Sequence, residues 1–98
     1  MFGKAPDIGM FKYMEASTIH ITQADAGYLE RDEKCGEVIV ISTYPEGFFI
    51  PISDTIIDFG DLSDSFKSVY TKAYKAGSYI LWLDCDAVEH DDLPKNKW

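Results

Sequence analysis

The sequence predicts an α+β domain, a four-stranded and mainly antiparallel sheet with two helices in the order β-α-β-β-α-β, most like the ferredoxin-like arrangement. Three observations carry this. Two stretches repeat apolar residues at three- and four-residue spacing behind hydroxyl or carboxylate caps. Four short runs are rich in β-branched and aromatic residues, and two of them flank the turn Tyr44-Pro45-Glu46-Gly47. The 98 residues are 46% hydrophobic, with six Phe, six Tyr and two Trp, enough for one core and too few for two.

The elements follow in order. Residues 1–15 read as an N-terminal arm and 16–98 as the single domain, including an acidic tail over 85–98. Ser17 to Ile21 alternates and is β-branched, so it is the expected first strand. Thr22 and Asp25 have the spacing of a capping box, which starts a helix over Gln23 to Lys34. Ala24, Tyr28 and Leu29 are expected inward, and Asp25, Glu30, Asp32 and Glu33 outward. Glu37 to Thr43 is the expected second strand, apolar on both faces. Phe48 to Ile52 returns across the turn as a hairpin. Pro51 has no N–H to donate, so that end must be an edge, a bulge or an exit; a sheet with this strand at the edge is the alternative. Asp61 or Ser63 caps a second helix, whose buried face is Leu62, Phe66, Val69, Tyr70 and Ala73, and Gly77 stops it. Tyr79 to Asp84 is the last strand.

Seventeen acidic against nine basic side chains give a net charge of −8. Such a field disfavours direct contact with nucleic acid or an anionic membrane and attracts a basic surface on another protein. No apolar run reaches the length of a membrane span or signal core, so a cytoplasmic location is expected. Cys35 and Cys85 stand alone, outside any paired zinc or redox motif.

Catalytic machinery is not evident. His20, His90, the two cysteines and several aspartates have no spacing that makes a nucleophile, base and orienter set. Asp84-Cys85-Asp86 is the one candidate chelate, since carboxylates two apart can hold Mg²⁺ or Mn²⁺; a metal-binding module or small metal-dependent enzyme centred there is one alternative. A homodimer through the apolar second strand or the aromatic faces is another. Phe48, Phe49, Tyr79 and Trp82 resemble a base-stacking surface in kind, but neighbouring Glu37, Glu46, Asp84 and Asp86 oppose phosphate. The acid itself falls in three groups: Asp25, Glu30, Asp32 and Glu33; then Asp58, Asp61 and Asp64; then Asp84, Asp86, Asp91 and Asp92. These are the candidate partner-binding residues, with no cofactor expected.

Ser17-Thr18-Ile19-His20-Ile21-Thr22, Gly47-Phe48-Phe49-Ile50, Asp61-Leu62-Ser63-Asp64-Ser65-Phe66, and Leu83-Asp84-Cys85-Asp86 with Asp92-Leu93-Pro94 to Trp98 carry a resemblance. Over about residues 16–98 the chain resembles an uncharacterised family of small acidic bacterial proteins associated with plasmids, prophages and other mobile elements. The resemblance implies a role in conflict between mobile elements and hosts. With the charge, the expectation is a non-enzymatic acidic module that binds a basic surface of a nucleic-acid-handling protein. It would act as an anti-CRISPR or anti-restriction inhibitor by mimicking nucleic acid.

Overall fold

Hydroxyl side chains start the 3-10 turn and both helices in the computed structural model, which describes residues 12–55 and 57–97. Most of the expected arm, residues 1–11, lies outside the described residues, as do Ile56 and Trp98. The elements are β1 (Tyr13–Ser17), a 3-10 turn (Thr18–His20), α1 (Gln23–Arg31), β2 (Ser42–Tyr44), β3 (Gly47–Pro51), α2 (Asp64–Lys75) and β4 (Ile80–Asp84). The fold is α+β and the elements come in the expected order.

The sheet runs β1-β4-β3-β2, with β3 antiparallel to both β4 and β2, and β1 parallel to β4. The pairing is therefore mixed. In the ferredoxin-like arrangement a helix joins parallel strands with another strand between them. Here α2 joins β3 to its immediate antiparallel neighbour. The reason is the loop over 52–63, which runs out before α2 starts, so the helix returns the chain to the end of β3 that it left; the Ile52 N–H donates to Tyr79 O at 2.8 Å. That bond also explains Pro51. In an antiparallel ladder bonded and non-bonded pairs alternate, so with Ile52 bonded toward β4 the nitrogen of Pro51 points away from it. On that side β2 has already ended, because its register stops at Ser42 opposite Phe49. A proline thus sits in a central strand at the point where the strand is locally an exit.

Two segments differ from expectation. The β-branched run 17–21 is not the first strand, because Ser17 Oγ accepts from Ile19 N at 3.2 Å and turns the chain into the 3-10 turn. The strand instead lies at Tyr13–Ser17, where β4 supplies its partner. The run 38–41 is also not strand: Val38 N–H donates to Cys35 O in a turn, Val38 is buried, and Ile39 and Ile41 are 64% and 59% exposed. Strand propensity measures fit to a pleated, half-buried surface, and no neighbour offers one before Ile41 N–H reaches Phe49 O.

Both helices cover one face of the sheet. Ala16, Phe48, Ile50, Leu81 and Leu83 point to Ala26 and Leu29 of α1 and to Phe66, Val69, Tyr70 and Ala73 of α2 in one core. Each fully buried Leu, Ile or Phe contributes roughly 1.5–3 kcal/mol by removal from water. The face of α2 expected inward is the one buried. Gly47 is required by close approach, since a Cβ there would lie 1.8 Å from Leu83 O.

Candidate functional site

Asp25 is not on the surface. It is 1% exposed, although an outward carboxylate was expected. The capping box forms, with Asp25 N donating to Thr22 Oγ1 at 3.0 Å and Thr22 N donating to Asp25 Oδ2 at 2.9 Å. The same carboxylate reaches the start of α2, accepting from Ser63 N on Oδ1 at 2.8 Å and from Ser63 Oγ on Oδ2 at 2.5 Å. One aspartate therefore ties together the N-termini of both helices, where the dipoles favour negative charge. Ala24, expected inward, is exposed instead, and Ala26 takes its place.

Helix α1 ends at Arg31, earlier than expected, because Asp32 adopts a left-handed conformation with φ 54°. The chain then meets the loop before α2. Glu37 N donates to Asp58 O at 2.6 Å and Asp61 N to Lys34 O at 2.7 Å. Gly36 and Gly60, both with φ +60°, sit back to back: a Cβ on Gly36 would lie 2.4 Å from Asp58 O, and one on Gly60 2.4 Å from Lys34 O. This reciprocal clasp brings Glu37 to the same end of the molecule as Asp58 and Asp61. The ammonium of Lys34 lies over the Tyr28 ring, 5.4 Å from its centroid.

The other candidate residues separate by partner. Glu33 is paired with Arg31 at 2.9 Å, Asp64 with Lys67 at 3.5 Å, Asp92 with Lys72 at 2.5 Å, and Asp91 with Lys95 at 3.6 Å. The hydrogen bond from Lys72 holds Asp92 below the usual carboxylate range. Glu30, Asp32, Asp58, Asp61 and Asp86 have no lysine or arginine within ion-pairing distance among the described residues. Glu30, Glu46 and Cys85 line a groove of about 570 Å³ between α1 and the β2–β3 turn.

Asp84, Cys85 and Asp86 offer ligand atoms within 4.8 Å of one another. Each oxygen of Asp84 already accepts one hydrogen bond: Oδ2 from Tyr44 Oη at 2.6 Å and Oδ1 from Asp86 N at 2.8 Å. Those bonds, Tyr44 first, hold Asp84 below the usual carboxylate range. The spacing that resembles a chelate is here a turn cap. Partial desolvation and the carboxylates of Asp86, Asp84 and Glu46 push the exposed Cys85 thiol up, away from the reactive thiolate. Cys35 is buried, and burial pushes its thiol up too.

The imidazoles hold the tail. His20 Nε2 accepts from His90 N at 2.8 Å, which leaves Nδ1 to donate to Pro94 O at 2.7 Å. His90 Nδ1 lies 3.0 Å from Lys72 Nζ and Nε2 lies 2.8 Å from Glu15 O. Every ring nitrogen is engaged. The tail also pairs with β1 through Ser17 N to Val88 O, covering a sheet edge that would otherwise be open.

The sheet face away from the helices carries a row of aromatic rings that sequence reasoning located only in part. Tyr13 meets Trp82 at 5.6 Å between centroids, Trp82 stacks on Phe49 at 5.4 Å, and Phe49 meets Tyr44 at 5.7 Å. Trp82 Nε1 donates to Tyr44 Oη at 2.5 Å, and Tyr44 in turn donates to Asp84. Of the rings considered from sequence, Phe49 and Trp82 lie here, Phe48 is in the core and Tyr79 is half-buried before β4. Tyr13 and Tyr44 were missed; the strand order, with β4 between β1 and β3, is what brings them into the row.

Residues 13–98 match the family described as "Family of unknown function (DUF5983) C-terminal domain". The chain belongs to this family. None of the curated proteins and none of the solved structures matches the chain. The family's match begins at Tyr13, the first residue of β1, and so takes in the aromatic row, the clasp and the tail of this DUF5983 domain. No helix among the described residues is long and apolar enough to cross a membrane.

Proposed function

We propose that this DUF5983 domain is a non-enzymatic acidic module that binds a basic surface on another protein, one that itself handles nucleic acid. The observation that supports the reading is the clasp, which gathers Glu37, Asp58 and Asp61 from loops distant in sequence and ties them by backbone bonds. Acid held in place before binding loses little freedom on contact, and the overall charge of −8 steers a basic partner toward it. The engaged imidazoles favour binding over catalysis. The finer reading is an inhibitor of a restriction or CRISPR complex in which these carboxylates take the place of phosphates. Its support is the charge and the resemblance to proteins of mobile elements. The test is capture of partners from host extract at low and high salt, with wild type and with Asp61→Lys. Capture should fail at high salt, fail with the charge reversal, and be displaced by added duplex DNA. A partner retained equally by the reversed variant would overturn the reading.

A further inference from the structure

The row of rings on the open sheet face has chemistry that the acidic clasp does not explain. Tyr13 is 54% exposed and Ile41 59%, and with Ser42, Phe49, Ile80 and Trp82 they line a shallow depression of about 690 Å³. The rings are also oriented by polar bonds, from Trp82 to Tyr44 and from Tyr44 to Asp84. These bonds satisfy the indole N–H and the phenol O–H and fix how the two rings lie. The ionisable groups that strand alternation places on this face in line with the rings are acids: Glu15, opposite Trp82 in the ladder, and Asp84, opposite Gly47.

We infer that this face receives an arginine-bearing extended segment of the partner, its guanidinium groups stacked on Tyr13, Trp82 and Phe49 and paired with Glu15 and Asp84. The inference rests on the proposed reading that the partner is a basic protein, and it names a second contact surface for that partner. Charge complementarity selects the occupant. Guanidinium stacks on aromatic faces where ammonium acts as a hydrated point charge. Each carboxylate oxygen of Asp84 retains a further lone pair beyond the bond it already accepts. A nucleic acid would bring phosphates against the same acids. A second copy would oppose Glu15 and Asp84 with their own duplicates and add a further charge of −8.

The experiment uses the ¹⁵N-labelled full chain, titrated with a deca-arginine peptide and, separately, with deca-lysine. The indole N–H of Trp82 and the amides of Phe49 and Trp82 should shift with arginine, with deca-lysine binding more weakly. Tyr13→Ala/Phe49→Ala should weaken arginine binding about 10-fold, as expected for two stacked cations. If that double variant does not fold, Tyr13→Ala alone, at an exposed position, should weaken it about 3-fold. Shifts confined to 34–37 and 58–61, with the variants binding like wild type, overturn this inference and leave the acidic reading standing. No binding of either peptide sinks both. Sheet-face shifts on concentrating the chain alone would give the face to a second copy, and shifts on deleting residues 1–11 without peptide would give it to the chain's own terminus; either result refutes the inference.

Discussion

Replacing Gly60 with alanine perturbs the clasp and nothing else nearby. Gly60 has φ +60°, and a Cβ in that left-handed region costs an L-residue about 1–2 kcal/mol. The new methyl would also lie 2.4 Å from Lys34 O and 2.5 Å from Gly36 N, both backbone atoms that no side-chain rotation can move aside. The loops must separate, which lengthens Glu37 N to Asp58 O and Asp61 N to Lys34 O, each bond contributing about 0.5–1.5 kcal/mol. The sum is about 2–5 kcal/mol, and for a domain of this size a loss of about 3 kcal/mol lowers Tm by roughly 10–25 °C. Urea unfolding at 25 °C followed by far-ultraviolet circular dichroism reads the loss directly. Gly27→Ala is the control: its Cβ meets only the flexible Arg31 guanidinium at 3.2 Å, and alanine in a helix should stabilise by up to about 1 kcal/mol. A Gly60→Ala protein as stable as wild type would show that the two loops are not braced against each other.

Two further outcomes follow from hydrogen bonds already described. Asp25→Ala leaves Thr22 N, Ser63 N and Ser63 Oγ without their acceptor in a buried site and should cost about 3–5 kcal/mol, with Asp25→Asn intermediate because its amide turns a donor toward donors. Denaturant titration decides, and a loss below about 1 kcal/mol for alanine would show that the two helix starts do not depend on this carboxylate. Tyr44→Phe removes the main cause of the lowered titration of Asp84, so the Asp84 carboxyl should titrate at higher pH in the variant, as read from side-chain ¹³C shifts. A carboxylate lowered in the folded state contributes stability above its ordinary titration range and loses it as pH falls through the lowered value; an unchanged Asp84 midpoint would show that Tyr44 is not what holds it.

The parts of the fold legible in the sequence are those set by local bonding. The buried stripe of α2, its Ser63 cap and the Thr22–Asp25 capping box depend on residues three and four apart, and all are present. What was not legible depends on partners remote in the chain. Asp25 has the spacing of an ordinary N3 cap, and only the arrival of Ser63, 38 positions later, draws it inside. The β-branched run 38–41 lacks a strand beside it because the Gly36–Gly60 contact directs the chain elsewhere first. Tyr13 and Tyr44 became visible as part of a site only when β4 was found between β1 and β3, with Trp82 at the centre of the row.

The acid divides along the same line between local and remote bonding, and that division bears on function. Net charge counts every carboxylate alike. Hydrogen bonding does not: Asp25 braces two helices, Asp84 orients Tyr44 and through it Trp82, and Asp92 is joined to the same lysine that contacts His90. These groups serve the scaffold, and changing them alters stability or ring orientation before it alters any encounter with a partner. The tail acids Asp91 and Glu89 share Lys95, so their field is already partly cancelled. Asp58 likewise accepts from Gly60 N at 2.8 Å within the clasp. Glu30, Asp32, Asp61 and Asp86 are acids whose carboxylates carry no such bond or ion pair among the described residues, and a basic partner should therefore respond to reversal at Asp61 far more than to reversal at Asp91. Had charge alone attracted the partner, position would not matter and each reversal would weaken binding alike.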